Sequence, residues 1–234
     1  MNVKEKRIIV TGGSLGIGRE TAKSLIDKGA IVLVTGRSQD RLEKSFGDLD
    51  CQSIAFDIGD TSNIVKNAEK CLDLLDGKVD ILINNAGIGE RKTIEELTIE
   101  SFQKVFNVNV FGLALFTKEI VPAMKNNNGG TIINIGSTAS LKGYQTGSIY
   151  ASSKFAVRCL TQCWQAELRP HNIRVCQINP SEVTTAFGNP DRIERDEVHN
   201  KLTSKEIAHA ITSAIEMDER GFINELNVWA TNPF

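Results

Sequence analysis

Short apolar, β-branched runs alternate along this chain with longer stretches whose apolar positions recur at helical spacing. Arg7–Val10, Ile31–Val34, Ser53–Phe56, Val79–Ile83, Thr131–Ile135, Ile173–Ile178 and Phe222–Trp229 read as strands. Between them, helical patterns run from the glycines before Arg19 to Lys28, over Asp40–Gly47, and from a cap at Thr61 or Ser62 to Leu75. Three more follow: Ser101–Asn126 with Pro122 as a kink or late break, 148–169 stopping before Pro170, and Ser204–Met217 capped by Thr203 or Ser204. Strand–helix alternation throughout predicts an α/β fold: one doubly wound parallel sheet of about seven strands, helices on both faces, in a single domain over residues 1–234. Residues 186–203 break the pattern. They are polar and charged, and read as a surface loop with some helix that could act as a lid.

Composition narrows the function classes. The 234 residues suit one sizeable domain, and 41% hydrophobic with 24% charged residues is ordinary for a globular protein. A net charge of −2 gives no long-range attraction to nucleic acid or an anionic membrane. No apolar run approaches the ~18 residues of a membrane span, and Met1–Arg7 carries no apolar signal stretch. The expectation is a cytoplasmic protein with neither nucleic-acid nor membrane partners. Cys51, Cys71, Cys159, Cys163 and Cys176 are odd in number and form no CxxC pair, so buried reduced thiols are expected, although Cys159 and Cys163 lie four apart on one predicted helix. His171, His199 and His209 lack metal-ligand spacing, and no metal is expected.

The first chemical signal follows the first strand. Thr11-Gly12-Gly13-Ser14-Leu15-Gly16-Ile17-Gly18 joins a strand to a helix inside a βαβ unit. Glycines there let backbone approach a phosphate, and the helix N-terminus offers unpaired N–H groups and partial positive charge. Gly12, Ser14, Gly16, Ile17 and Gly18 are therefore candidates for a dinucleotide pyrophosphate, though the spacing is TGxxxGxG rather than GxGxxG. About 20 residues on, an acid would bond the 2′-hydroxyl of NAD. None stands between Ile31 and Ser38; Arg37 offers a planar cation suited to a 2′-phosphate, with Ser38 as a further donor. The cofactor expected is NADP(H) rather than NAD(H).

The second signal lies from Ser137 to Lys154. If 148–169 is helical, Tyr150 and Lys154 share a face about 6 Å apart in rise. Unit charges near 4 Å at an effective dielectric of about 20 interact by about 4 kcal/mol, or roughly three pK units. The ammonium is thus expected to lower the phenol's pKa and fit it for proton transfer. Asn84-Asn85-Ala86-Gly87 forms a small polar turn after the fourth strand. Asn107 and Asn109 sit among apolar residues of a predicted helix, a placement that calls for a bound water or a local bulge.

Taken together and in order, Thr11-Gly12…Gly16-Ile17-Gly18, Asn84–Gly87, Asn109, Ser137, Tyr150…Lys154 and Asn179-Pro180 resemble the short-chain dehydrogenase/reductase family over nearly the whole chain. The resemblance implies a Rossmann-type fold and NADP(H)-dependent hydride transfer between nicotinamide and a ketone or secondary alcohol, carbonyl-reductase-like or on 3-oxoacyl-type substrates. It implies Tyr150 as general acid or base, Lys154 as its charge partner and a nicotinamide-ribose ligand, and Ser137 as hydrogen-bond partner of the substrate oxygen. It implies Asn109 as holder of a water that feeds protons to Lys154. Asp57 and Ile58 would flank adenine; Asn84, Ala86 and Gly87 would back the adenosine ribose and phosphates; Pro180, Val183 and Thr185 would hold the nicotinamide amide. Homodimers or homotetramers through the two long helices are implied as well.

Two features depart from the family pattern. Ser181 stands where Pro-Gly is usual, and a positive φ there would strain it. The tail Asn227–Phe234 lacks the glycine-rich ending typical of 3-oxoacyl-carrier-protein reductases. Ile88, Leu141, Tyr144 and Phe187 are expected to wall a small, mostly apolar substrate pocket. A catalytically silent NADP-binding regulatory protein on the same fold is the rival reading. An epimerase or dehydratase on a related fold would need a longer C-terminal substrate region. The enzyme reading requires Lys154 to face Tyr150 and the groove over Gly12–Gly18 to be free of protein.

Overall fold

The computed structural model describes residues 2–233; Met1 and Phe234 lie outside the described residues. Seven strands form one sheet: β1 (Arg7–Val10), β2 (Ile31–Gly36), β3 (Gln52–Ala55), β4 (Ile81–Asn84), β5 (Gly130–Ile135), β6 (Ile173–Pro180) and β7 (Glu225–Val228). Their order is β3-β2-β1-β4-β5-β6-β7 and every pairing is parallel. Parallel neighbours need long crossovers, which the helices provide. These are α1 (Gly16–Asp27), α2 (Gln39–Phe46), α3 (Ile64–Leu74), α4 (Ile99–Phe106), α5 (Leu113–Asn126), α6 (Ser148–Leu168) and α7 (Ser204–Glu216).

The strands are apolar on both sides because both sides are covered. Ile8, Val10, Val32, Val34, Ile81, Ile83, Ile133 and Ile178 pack on one face against Leu25 of α1, Leu42 of α2, and Ile207 and Ile211 of α7. Ile9, Leu33, Leu82, Ile132 and Val175 point the other way, onto Ile64 of α3, Phe116 and Ile120 of α5, and Leu168 of α6. Each such side chain contributes about 1.5–3 kcal/mol by leaving water. The order reverses between β1 and β4, and a crevice opens at their carboxyl ends, where ligands of such sheets bind.

Several expectations are corrected. The predicted helix 101–126 starts earlier and is interrupted: Asn107–Gly112 is a π turn between α4 and α5. Gly112 makes that turn possible, since a Cβ there would lie 2.1 Å from the Ile58 carbonyl oxygen. Pro122 lies inside α5 without ending it. The whole stretch Ile99–Asn126 is long and apolar enough to cross a membrane by length and composition, a test that raw apolar runs had missed. Its Phe116, Ile120 and Met124 are wholly buried against the sheet. Neither Thr61 nor Ser62 caps α3; a 3-10 turn, Thr61–Asn63, precedes it, and Asp60 accepts hydrogen bonds from Ser62 and Asn63 instead. Thr203 does cap α7, in a box with Glu206. Cys159 and Cys163 are exposed rather than buried, on the solvent side of α6. Residues 186–203 hold turns and no helix.

Candidate active site

The crevice is built from turns that brace one another. Gly12 has φ +64°, and a Cβ on it would lie 2.7 Å from the Ala86 Cα, so only glycine lets the turn after β1 lie on the turn after β4. Thr11 Oγ1 accepts the N–H groups of Asn85 and Ala86, each at 3.1 Å. Asn85 Nδ2 donates to the carbonyls of Thr11 and Gly12 at 3.0 and 2.9 Å. Ser14 and Ile17 are half-buried, Gly16 and Gly18 buried, all along this turn.

Asn84 behaves differently from the expectation. Its side chain is buried and donates to Thr117 Oγ1 and Asn134 Oδ1, both at 2.9 Å, so it points into the fold rather than toward a ribose. Successive strand residues face opposite ways, and the groove-side neighbour is Asn85. Ala86 and Gly87 remain half-buried at the crevice. At the end of β3, Asp57 is exposed and accepts the Gly59 N–H at 2.8 Å, while Ile58 is buried.

At the tip of β2, Arg37 is exposed. Ser38 Oγ accepts the Arg41 N–H at 3.3 Å and so caps α2. Arg192 stands near both: its ionisation is pulled below the ordinary guanidinium range, by burial first and then by the positive charges of Arg37 and Arg41. Its Nε is buried without a hydrogen-bond partner. The positive charges of Arg37 and Arg41 around the unbonded Arg192 Nε form a place for an anion.

The other half of the crevice is held by buried hydrogen bonds. Ser137 follows β5 and opens a short 3-10 turn, its Oγ accepting the Ala139 N–H at 3.1 Å. Its own N–H donates to Asn179 Oδ1 at 3.2 Å. Lys154 is 5% exposed and donates to the Ile135 carbonyl at 2.7 Å. Its Nζ lies 5.8 Å from the centre of the Tyr150 ring, so the two do face each other. A Cβ on Gly87 would lie 3.7 Å from Lys154 Nζ and 3.4 Å from Asn109 Oδ1, so these three residues converge on one point. Asn109 is 1% exposed; it accepts the Ile88 N–H at 2.9 Å and donates to the Ile88 carbonyl at 2.9 Å and Ser153 Oγ at 3.0 Å. It is thus a strut between the 88–89 turn and α6. Its side chain shows no bond to Lys154.

The electrostatics overturn one expectation. The Tyr150 phenol is pushed above its usual range, by burial first; a hydrogen bond from Ser137 acts the other way and Tyr144 adds to the rise. Burial also draws Lys154 down, to about 8. Removing both groups from water outweighs an attraction across 5.8 Å.

After β6, Pro180 is buried, Val183 and Thr185 nearly so, and Ser181 has no positive φ, so serine is comfortable there. Phe187 covers Tyr150 with ring centres 5.5 Å apart, and Tyr144 receives Arg91 at 5.9 Å from its ring centre. Ile88 and Leu141 are half-buried beside these rings. The groove over Gly12–Gly18 is not clear of protein, so that requirement is not met as stated, and the family assignment rests on the comparisons below rather than on an open groove. Glu194 from the irregular segment accepts the Gly16 N–H at 2.8 Å and pairs with Arg19 at 2.8 Å.

With that geometry in view, the comparisons with known proteins are decisive about kinship. The model for short chain dehydrogenases matches residues 6–196. The chain belongs to the short-chain dehydrogenase family. An uncharacterized oxidoreductase of Staphylococcus saprophyticus is 31% identical to it, over 97% of this chain and 98% of that protein. Among solved structures, an alcohol dehydrogenase of the archaeon Thermococcus sibiricus complexed with 5-hydroxy-NADP has a TM-score of 0.89 at 27% identity, covering 97% of each chain. A closed form of serine dehydrogenase complexed with NADP+ has a TM-score of 0.86 at 27% identity, over 95% of this chain and 94% of that one. This short-chain dehydrogenase is accordingly an oxidoreductase acting on CH–OH or C=O groups of a small molecule, with a nicotinamide cofactor.

Sequence reasoning missed Asn134, Gln177, Arg192 and Glu194, while Asn85 holds the glycine turn's backbone as the polar turn after the fourth strand led one to expect. For Asn134 and Gln177 the signal was present: each is a polar residue inside an otherwise apolar strand. For Glu194, one acid among many in a charged segment, there was none.

Proposed function

We propose that this short-chain dehydrogenase uses NADP(H) and carries hydride between nicotinamide and a ketone or secondary alcohol, with Tyr150 moving the proton. When bound, the dinucleotide would supply or take up the hydride. Gly12, Gly16 and Gly18 would lie against its diphosphate; the carboxylate already standing on the Gly16 N–H and Arg19 supports the fit of an anion there. Arg37, with Arg41 and Arg192 beside it, supports a 2′-phosphate and hence NADP(H) over NAD(H). Pro180, Val183 and Thr185 would flank the nicotinamide end. Asp57 and Ile58 would flank the adenine, with Ala86 and Gly87 behind the ribose.

The observation that carries the reading is the buried ammonium of Lys154, anchored on Ile135 and turned toward Tyr150 and Gly87. In the reducing direction Tyr150 starts protonated, as its raised pKa requires, and gives Oη–H to the substrate oxygen. The phenolate left behind gains the Lys154 charge and the Ser137 hydrogen bond. Ser137 also holds the substrate oxygen, and Asn109 positions the 88–89 turn and α6 around that point. Phe187, Tyr144 and Ile88 favour a small or medium carbonyl compound with an apolar flank, a class that includes 3-oxoacyl compounds. Phe111, Leu115 and Phe155 leave apolar surface on the two long helices, which supports pairing as a homodimer or homotetramer.

Tyr150→Phe tests the mechanism. Steady-state NADPH oxidation with carbonyl substrates should fall by about 10²–10⁴-fold, while NADPH binding is retained. Turnover at the wild-type rate would sink the reading.

A further inference from the structure

The segment after β6 does more than cover the substrate. Its Glu194 reaches back across the crevice to the first turn of α1, 178 residues earlier in the chain. One carboxylate oxygen accepts the Gly16 N–H at 2.8 Å, and the other accepts Arg19 Nη2 at 2.8 Å. A neighbouring residue of the segment packs on the same turn: a Cβ on Gly16 would lie 3.2 Å from the Thr185 side chain. The segment is pinned further by Arg195, which bonds Glu182 and the Val183 carbonyl, and by Lys201, which pairs with Glu182 at 2.9 Å.

A carboxylate and a phosphate ask the same of this place: an N–H donor, the positive end of a helix, and a cation. We propose that Glu194 is an internal ligand of the diphosphate subsite, and that a dinucleotide binds by displacing it. The inference rests on the dinucleotide reading above. One negative charge stands where a diphosphate would bring two, so cofactor wins, but only after Glu194 leaves both partners. Glu194 thereby sets cofactor affinity without touching cofactor. It also links the two ends of the site, because the strand of chain that releases Gly16 is the same one that carries Phe187 over Tyr150. The partner left behind is not wasted: Arg19 Nη2 is released to face the incoming phosphate, while its Nε keeps Glu20 at 3.3 Å. The ion pair is part-exposed, with side chains at 25% and 33%, so the contact is weak enough to be exchanged.

The test measures equilibrium binding to the full chain by titration calorimetry, for wild type, Glu194→Gln and Glu194→Ala. NADPH and ADP are the probes that carry a diphosphate; 2′-AMP is the probe that lacks one. Both variants should bind NADPH and ADP about three- to tenfold more tightly than wild type, and 2′-AMP with unchanged affinity. Unchanged or weaker NADPH binding would overturn the proposal, and so would an equal gain for 2′-AMP, which would mark a general charge effect. Binding of neither NADPH nor NADH to wild type or variants would instead bring down the dinucleotide reading, and this proposal with it. Hydrogen exchange on wild-type protein gives a readout that needs no variant: amides of 193–195, around Glu194, should exchange faster once NADPH is added. Slower exchange there would mean that the segment clamps the cofactor rather than yielding to it, and would overturn the proposal.

Discussion

The two halves of the crevice are held by different forces. Behind Ser137 and Lys154 a row of polar side chains crosses the sheet in register: Asn84 opposite Asn134, Asn134 opposite Gln177, Gln177 opposite Glu225. Thr161 on α6 joins Asn134 at 2.9 Å to Gln177 at 3.1 Å, and Gln177 donates to Asn179 at 2.7 Å. Asn179 bonds Glu225 at 2.8 Å and Asn227 at 2.9 Å, and accepts from the Ser137 N–H. In front of the glycine turn, by contrast, the side chains are part-exposed guanidiniums and carboxylates. Apart from Asn84 Oδ1, which is buried without a partner, the bonds of the row are mutual, and buried bonds are costly to break singly because the partner is stranded away from water. Exposed ion pairs exchange partners at little cost. The half behind Ser137 and Lys154 is therefore arranged in advance, and the half over the glycine turn can change partners.

The sharpest way to break this contrast is to cut the row. Asn179→Ala strands the buried Gln177 Nε2, takes one partner each from Glu225 and Asn227, and leaves the Ser137 N–H only Ser140 Oγ. Denaturant unfolding should show a loss of about 2–3 kcal/mol, with kcat falling more than KM rises as the turn carrying Ser137 loosens. A loss below 1 kcal/mol would mean that the row is not stiff.

Next comes the buried ammonium. Lys154 sits at about 8 in the fold against 10.5 for the free group. Between those values the unfolded chain carries a proton that the folded chain lacks, so stability supplied through this residue rises with pH across the window. Relative to Lys154→Met, wild type should gain roughly 3 kcal/mol over it, at most, measured by thermal unfolding at stepped pH. A flat difference would show Lys154 to be solvated.

The smallest effect belongs to the exposed half. Arg37→Gln should weaken NADPH binding about tenfold relative to NADH and leave unfolding unchanged, as a cation without structural partners would. An unchanged preference between the two nucleotides would assign the 2′-phosphate to another residue.

The chain's polar and apolar alternation was enough to give all seven strands, the parallel sheet and the end of it that carries chemistry, because each βαβ unit is specified locally. Boundaries slipped where a strand outran its apolar run: β6 continues through Asn179 and Pro180, whose polar side chain finds partners only across the sheet. Tyr150 and Lys154 were legible as neighbours because one helix turn separates them, while Ser137 joined them only through the resemblance to the family. Asn107 and Asn109 were read as candidates for fixing a water or a local bulge, and the π turn is there, yet the partners that satisfy Asn109, Ile88 and Ser153, come from segments no spacing rule connects.

What the amino-acid order determined alone was local: turns that need glycine, helices with a charged face, a phenol and an ammonium one turn apart. What tertiary structure decided was every energy that depends on water being gone. The sequence placed Lys154 beside Tyr150, but only burial sets their pKa values, and it raises the phenol where spacing alone foretold the reverse. Only the folded chain, likewise, could bring Glu194 to Gly16, since a contact across 178 residues is dictated by the path of the backbone and not by any neighbour in sequence.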